Sequence, residues 1–311
     1  MKKKKEFTGT GRTLGQRIWQ CRGLYLLIFP AVLLLFCFHY IPLYGLLIAF
    51  KDFSIAEGVL GSPWVGFDNF SQYFHSYKFW PTIRNTLVIS LYSIAVTMPL
   101  PIAMALMCNQ MYAKRFKKFF QVATYLPHFI STVVMCGIII LFLSPSSGVI
   151  ATILGKFGVT LPNVMAKESA FPHVYVWTEV WQHLGWDSIL YVAALSSVDP
   201  TLYEAATMDG ATKLQKIRYI DIPMLMPTAV IMLILRFGGV LSVGFEKTFL
   251  LQNDLNLGAS EVISTYVYKM GMLDRQYGLS TAAGLVQNGV NLLLLLLVNQ
   301  IAKKISDTSL I

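Results

Sequence analysis

Glu179, Gln182, His183 and Trp186 occupy positions i, i+3, i+4 and i+7 of an otherwise apolar stretch, so a helix there carries all four on one face. Gln287, Asn288 and Asn291 cluster in a second apolar stretch, and Arg236 stands alone in a third. Polar groups surrounded by hydrocarbon are costly, and they usually face a cavity or a partner. The chemistry open to this set is recognition rather than bond breaking. Amides offer paired donors and acceptors and tryptophan offers an aromatic face, which suits a pathway for a hydroxyl-rich solute such as a sugar. The same groups could instead hydrogen-bond between helices, within the chain or to a second subunit. Glu179 and Arg236 lie about eight and ten residues from the same side of their stretches, roughly 12 and 15 Å deep at about 1.5 Å per residue. That similar depth predicts that the two pair.

No group-transfer or metal chemistry is laid out beside them. His39, His75, His128, His173 and His183 lack ligand spacing. Cys21, Cys37, Cys108 and Cys136 are spread singly in or beside apolar runs and read as small buried hydrophobes. The phosphate-cradling pattern G-x-x-x-x-G-K-[ST] is missing, and Gly155-Lys156 lacks its spacing. No soluble stretch is long enough for a nucleotide-binding domain. The chain is expected not to be an enzyme, to hold no metal and to carry no cofactor of its own.

The elements that must position these residues follow from composition. The 311 residues are 55% hydrophobic and 13% charged, against about 25% charged in a soluble domain. Lipid is the solvent such a chain requires. Its net charge of +9 lies in short tracts between apolar runs, which fits anionic lipid headgroups and not nucleic acid. Six runs reach the ~20 residues that cross hydrocarbon: 24–50, 82–108, 119–143, 171–198, 222–245 and 280–301. Strand alternation is absent, so the fold class predicted is an all-α polytopic membrane protein. The first run is far longer than the roughly 7–15 residues of a signal-peptide core and reads as a retained span.

Of the 25 Lys and Arg residues, sixteen lie on one set of flanks and seven on the other. The positive-inside rule then places both termini, the loop after the second span and the loop after the fourth in the cytoplasm. Segments 51–81, 144–170 and 246–279 fall outside. Residues 12–22 alternate apolar and basic groups, and either an interfacial helix on the inner leaflet or an unstructured basic tail fits them.

The fourth run ends in the loop 199–223. Asp199 followed by Pro200 is a helix start, a capping carboxylate before proline at the first helical position. Good helix formers run to Met208, Gly210 supplies a turn, and a basic helical stretch then leads to Pro223 and Pro227 at the next span. A short helix-turn-helix protruding from the membrane is predicted.

Glu204-Ala205-Ala206, Gly210 after three residues, and Ile220-Asp221-Ile222-Pro223 resemble the "EAA" loop of binding-protein-dependent ABC importer permeases. The family pattern is Glu-Ala-Ala, three residues, Gly, nine residues, Ile, any residue, Leu-Pro, and this chain departs from it only by Ile222 in place of Leu. The resemblance implies that the loop is a coupling helix docking into a groove of an ATPase subunit. Ala205 and Ala206 would permit close approach, Glu204 would meet a basic group, and Gly210 would set the angle between the helices, with Asp209, Ile220 and Pro223 completing the loop. Docking of this kind transmits rigid-body motion to the spans.

Ile41-Pro42-Leu43-Tyr44-Gly45, Ala49-Phe50-Lys51-Asp52-Phe53, Val65-Gly66-Phe67-Asp68-Asn69-Phe70 and Asn85-Thr86-Leu87 are similar to segments of sugar-importer permeases. Gly244-Phe245-Glu246-Lys247, Phe249-Leu250-Leu251 and Val262-Ile263-Ser264-Thr265-Tyr266-Val267-Tyr268 resemble the subgroup that handles complex oligosaccharides.

The resemblance implies a bacterial cell-membrane permease that translocates an oligosaccharide. Its partners would be a second, related permease in a heterodimer, an ABC ATPase dimer holding ATP and Mg, and an external sugar-binding protein. The expected organisation is a basic tail over 1–23, the first span and external loop over 24–81, the permease core over 82–304 with the coupling loop, and a tail over 305–311. An amino-acid or peptide permease is the alternative within the family. A secondary transporter would instead show ion-coupling carboxylates near the midplane or inverted repeats, and neither stands out.

Overall fold

The computed structural model describes residue 19 and residues 21–306. The predicted interfacial stretch 12–22 and the predicted tail 305–311 therefore fall largely outside the described residues. Within them the Arg22 guanidinium lies 4.6 Å over the Trp19 ring.

The chain is helical, and among the described residues the only β pairing is a lone antiparallel bridge between Lys51 and Trp64. The first apolar run forms α1, Arg22–Phe50. A short α2, Asp68–His75, precedes α3, Phe79–Asn109. The chain then forms α4, Lys114–Phe129, and α5, Thr132–Phe142, with a bend of 99° between them. Next come α6, Phe171–Ser196, α7, Pro200–Met208, and α8, Lys213–Phe237. The fold closes with α9, Phe245–Leu251, α10, Ile263–Tyr268, and α11, Tyr277–Ser306.

Among the described residues, α1, α3, α8 and α11 are long and apolar enough to cross a bilayer, and the bent α4–α5 pair adds a fifth span if counted as one. α6 has the length, 26 residues, but carries Glu179, Gln182, His183 and Asp187 along it. Two of the runs read from hydropathy are thus not straight helices. The third breaks at Ile130-Ser131, where Pro127 and the Ser131 cap restart the chain in a new direction; the Val134 N–H donates to Ser131 Oγ at 3.4 Å. The fifth stops at Phe237, and residues 238–244, with glycines at 238, 239 and 244, run without helix to α9.

Packing follows from these breaks. One apolar cluster joins Ile89 of α3, Met135 and Ile139 of α5, Tyr175 and Val176 of α6, and Leu251 of α9. Another joins Ala105, Tyr191, Leu195 and Leu225 at the other end of α3, α6 and α8. Gly185 lets α4 touch α6, because a Cβ there would sit 2.2 Å from the Thr124 carbonyl oxygen. The apolar faces of α1 stay exposed, as lipid-facing surface requires. Cys108 and Cys136 are buried, but Cys21 and Cys37 are exposed, so only two of the four thiols are core hydrophobes.

Candidate functional site

The polar residues of α6 face two cavities that run along that helix between α3 and α8. The first, about 380 Å³, is lined by Glu179, Gln182, His183, Arg236, Glu246 and Lys247 with Ser90 and Ser93. The second, about 330 Å³, is lined by Trp186, Asp187, Tyr191, Met98, Met232 and again Arg236. Arg236 therefore borders both. Trp186 stacks on His128 with ring centres 4.1 Å apart and planes within 6°.

The predicted Glu179–Arg236 pair does not form. Glu179 Oε2 lies 2.8 Å from Lys247 Nζ, and its other oxygen 3.3 Å from His183 Nδ1. Arg236 Nη2 donates instead to Asp187 Oδ2 at 2.8 Å. The depth estimate failed because α8 ends at Phe237, which puts Arg236 in the last turn of its helix rather than near mid-span. Lys247, assigned to an external loop from sequence, is buried at 5% exposure; it also donates to the Tyr175 carbonyl at 3.0 Å and sits over the Tyr175 ring. Sequence reasoning missed Asp187, although it continues the same face of α6 one turn beyond His183.

The amides serve the breaks in the helices. Gln182 Nε2 donates to the Ile130 carbonyl at 2.9 Å, at the bend between α4 and α5. In the 238–244 segment the Leu241 N–H donates to Asn291 Oδ1 at 3.0 Å, and Gln287 Nε2 donates to the Leu241 carbonyl at 2.9 Å. Asn291 Nδ2 also reaches Ser242 Oγ at 2.9 Å. Non-helical backbone at membrane depth survives only where such partners satisfy it. Gln287, Asn288 and Asn291 line neither cavity, and Asn288 is exposed.

The hairpin after α6 is built by local chemistry. Asp199 accepts the Thr201 N–H at 2.9 Å and caps α7, which holds its carboxyl below the usual range. Gly210 takes φ 73°, the left-handed conformation glycine tolerates. The Ala211 N–H closes back on the Ala206 carbonyl at 2.8 Å, the bond that ends a helix at such a glycine. Thr212 and Gln215 form a reciprocal capping box that starts α8. Glu204, Ala205 and Asp209 are exposed, Ala206 and Ile220 half-buried, and Pro223 exposed. The Glu204 carboxylate has no hydrogen bond or ion pair to another described residue, and Met208 one turn on is 88% exposed. Asp221, inside the motif, is fully buried and accepts from the Tyr203 hydroxyl. Burial and this bond push the Tyr203 phenol up to about 12.

Residues 97–307 match the family described as "Binding-protein-dependent transport system inner membrane component". The chain is 38% identical to the polygalacturonan/rhamnogalacturonan transport system permease protein YteP of Bacillus subtilis, over 94% of this chain and 91% of that one. It is 36% identical to Protein LplB of the same organism, over 93% and 91%. Among solved structures it is similar to a bacterial ABC transporter involved in import of the acidic polysaccharide alginate, with a TM-score of 0.88, 38% identity, and coverage of 94% of this chain and 99% of that one. A second structure, of a bacterial alginate ABC transporter with its alginate pentasaccharide-bound periplasmic protein, gives a TM-score of 0.88 at 36% identity, covering 96% and 100%.

Proposed function

Because the chain belongs to the family of inner-membrane components of binding-protein-dependent transport systems, we propose that it is the permease half of an ATP-driven importer for an acidic, uronate-containing oligosaccharide. The family member is a transmembrane subunit and not an enzyme; ATP with Mg is held and hydrolysed by a separate ATPase dimer. The observation that carries the reading is the α7–Gly210–α8 hairpin, whose exposed Glu204, Ala205 and Met208 offer a partner a small-residue surface with one free carboxylate.

In this reading six spans cross the bacterial cell membrane: α1, α3, the bent α4–α5 pair, α6, α8 and α11. Both termini and the hairpin face the cytoplasm, a placement the charge asymmetry supports. A second, related permease completes the pathway, and an external binding protein delivers the sugar to the opposite end. The substrate class is supported by the pectin-fragment and alginate systems to which the chain is similar. The two cavities that Arg236 borders are the candidate path, with Glu179, Gln182, Trp186 and Arg236 on its wall. Gln287 and Asn291 act there through the backbone they hold, and the exposed Asn288 lies outside both cavities.

The test is reconstitution of the chain with its partner permease, ATPase and binding protein in proteoliposomes. ATP-dependent accumulation of a labelled galacturonate oligosaccharide is expected. Uptake of that sugar without ATP, or of neutral oligosaccharides only, contradicts the proposal.

A further inference from the structure

Asp221 stands where the coupling motif tolerates any residue, and its placement is not that of a spacer. Its side chain is 0% exposed. Oδ1 accepts from the Tyr203 hydroxyl of α7 and from Asn109 Nδ2 at 3.3 Å, and Oδ2 accepts from Gln110 Nε2 at 3.3 Å. Asn109 Nδ2 also reaches the Tyr203 hydroxyl at 3.4 Å, closing a ring of contacts. Asn109 ends α3 and Gln110 follows it. Asp221 itself lies where α8 is locally widened, over Ile217–Asp221, a distortion that often marks a functional position. One carboxylate thus ties three elements: the hairpin helix, the end of α3 and the start of α8.

A buried carboxylate is costly unless its charge is answered. Among the described residues no Lys or Arg nitrogen lies within ion-pair distance of Asp221, so neutral donors alone answer it. Such a network is stable when every member is present and fails when one is lost. The phenol's raised pKa keeps Tyr203 a donor over the physiological range. α7 otherwise touches the bundle little: Leu202, Glu204, Ala205, Thr207, Met208 and Asp209 are all exposed.

We infer that Asp221 is a positioning residue for energy coupling, the knot through which force on α7 reaches α3 and α8 together. The inference rests on reading α7 as the element that docks on the ATPase. Without the knot, α7 would swing on Gly210 and the Asp199 turn, and nucleotide hydrolysis would no longer be converted into span movement.

The experiment uses the assembled permease–ATPase complex and the variants Tyr203→Phe and Asp221→Asn. Tyr203→Phe keeps the ring and removes only the donor. Asp221→Asn turns one acceptor into a donor facing two amides. In both, hydrogen exchange of amides 203–211 is expected to quicken about tenfold, with exchange in the middle of α6 and α11 at wild-type rates. This arm needs no transported sugar, so it stands even if the substrate class is wrong. In proteoliposomes, uptake of a galacturonate oligosaccharide per ATP hydrolysed is expected to fall roughly five- to thirtyfold. Wild-type exchange over 203–211, or a wild-type ratio of uptake to hydrolysis, overturns the inference. So does faster exchange throughout the chain, which makes Asp221 a general stability residue. Failure of the ATPase to bind wild-type α7 refutes the docking assignment, a result distinct from either.

Discussion

Lys247 Nζ lies 2.8 Å from Glu179 Oε2 across the wall of the larger cavity, joining α6 to the helix that follows the break in the fifth span. Two turns further along α6, Asp187 holds Arg236 on the other side of the same break. The two ion pairs therefore fix α6 to the chain before and after the non-helical segment 238–244. The lysine of the first pair is 6% exposed, whereas the arginine of the second is 41% exposed. Water screens the second pair much more than the first.

The pairs should separate in double-mutant cycles. Lys247→Met strands a carboxylate and is expected to cost stability at the low end of about 3–5 kcal/mol, with much of it recovered in Lys247→Met/Glu179→Gln. Asp187→Asn with Arg236→Gln should show a coupling of at most about 1 kcal/mol. Glu179 and Arg236, which make no ion pair with each other, should couple more weakly than Glu179 and Lys247 do. Thermal unfolding of the purified complex in detergent measures all three. A strong Glu179–Arg236 coupling would contradict the geometry.

Gln182 and Asn291 should matter for architecture. Gln182→Leu leaves the Ile130 carbonyl without its partner, and Asn291→Leu leaves the Leu241 N–H without its own. Each is expected to destabilise by about 1–3 kcal/mol, the cost of an unpaired buried polar group. The comparison is Asn288→Leu, whose side chain is exposed and which should change stability by less than about 0.5 kcal/mol. Equal losses in all three would mean the amides do not hold the breaks.

The helical class, the apolar runs and the hairpin were legible in the sequence because each rests on local physics. Hydropathy reports lipid contact, and Asp199-Pro200, Gly210 and Thr212 announce caps and a turn whatever surrounds them. The bend at Ile130 was hidden because the run stays apolar on both sides of Pro127, His128 and Ser131, and hydropathy averages over those few breakers. Lys247 looked like loop charge for the same reason that Arg236 looked deep: hydropathy does not register where the fifth span stops. The backbone groups that Gln182, Gln287 and Asn291 satisfy exist only once the helices break, so the sequence shows these amides without showing those partners.

Gly210→Ala tests the hairpin angle. A Cβ at φ 73° meets no neighbouring atom, so the penalty is conformational, about 1–2 kcal/mol. The variant should assemble and hydrolyse ATP, with uptake per ATP lowered several-fold. Glu204→Ala removes the free carboxylate without strain and should weaken binding of the ATPase instead. Wild-type uptake in both variants would remove the coupling role.

The account depends most on which side of the membrane the hairpin faces. A single cysteine at Glu204, in a chain with Cys21, Cys37, Cys108 and Cys136 replaced, can be reacted with a membrane-impermeant maleimide. Labelling is expected in inside-out vesicles stripped of ATPase, protection when the ATPase is added back, and no reaction in intact cells. Labelling of intact cells from outside would contradict the account.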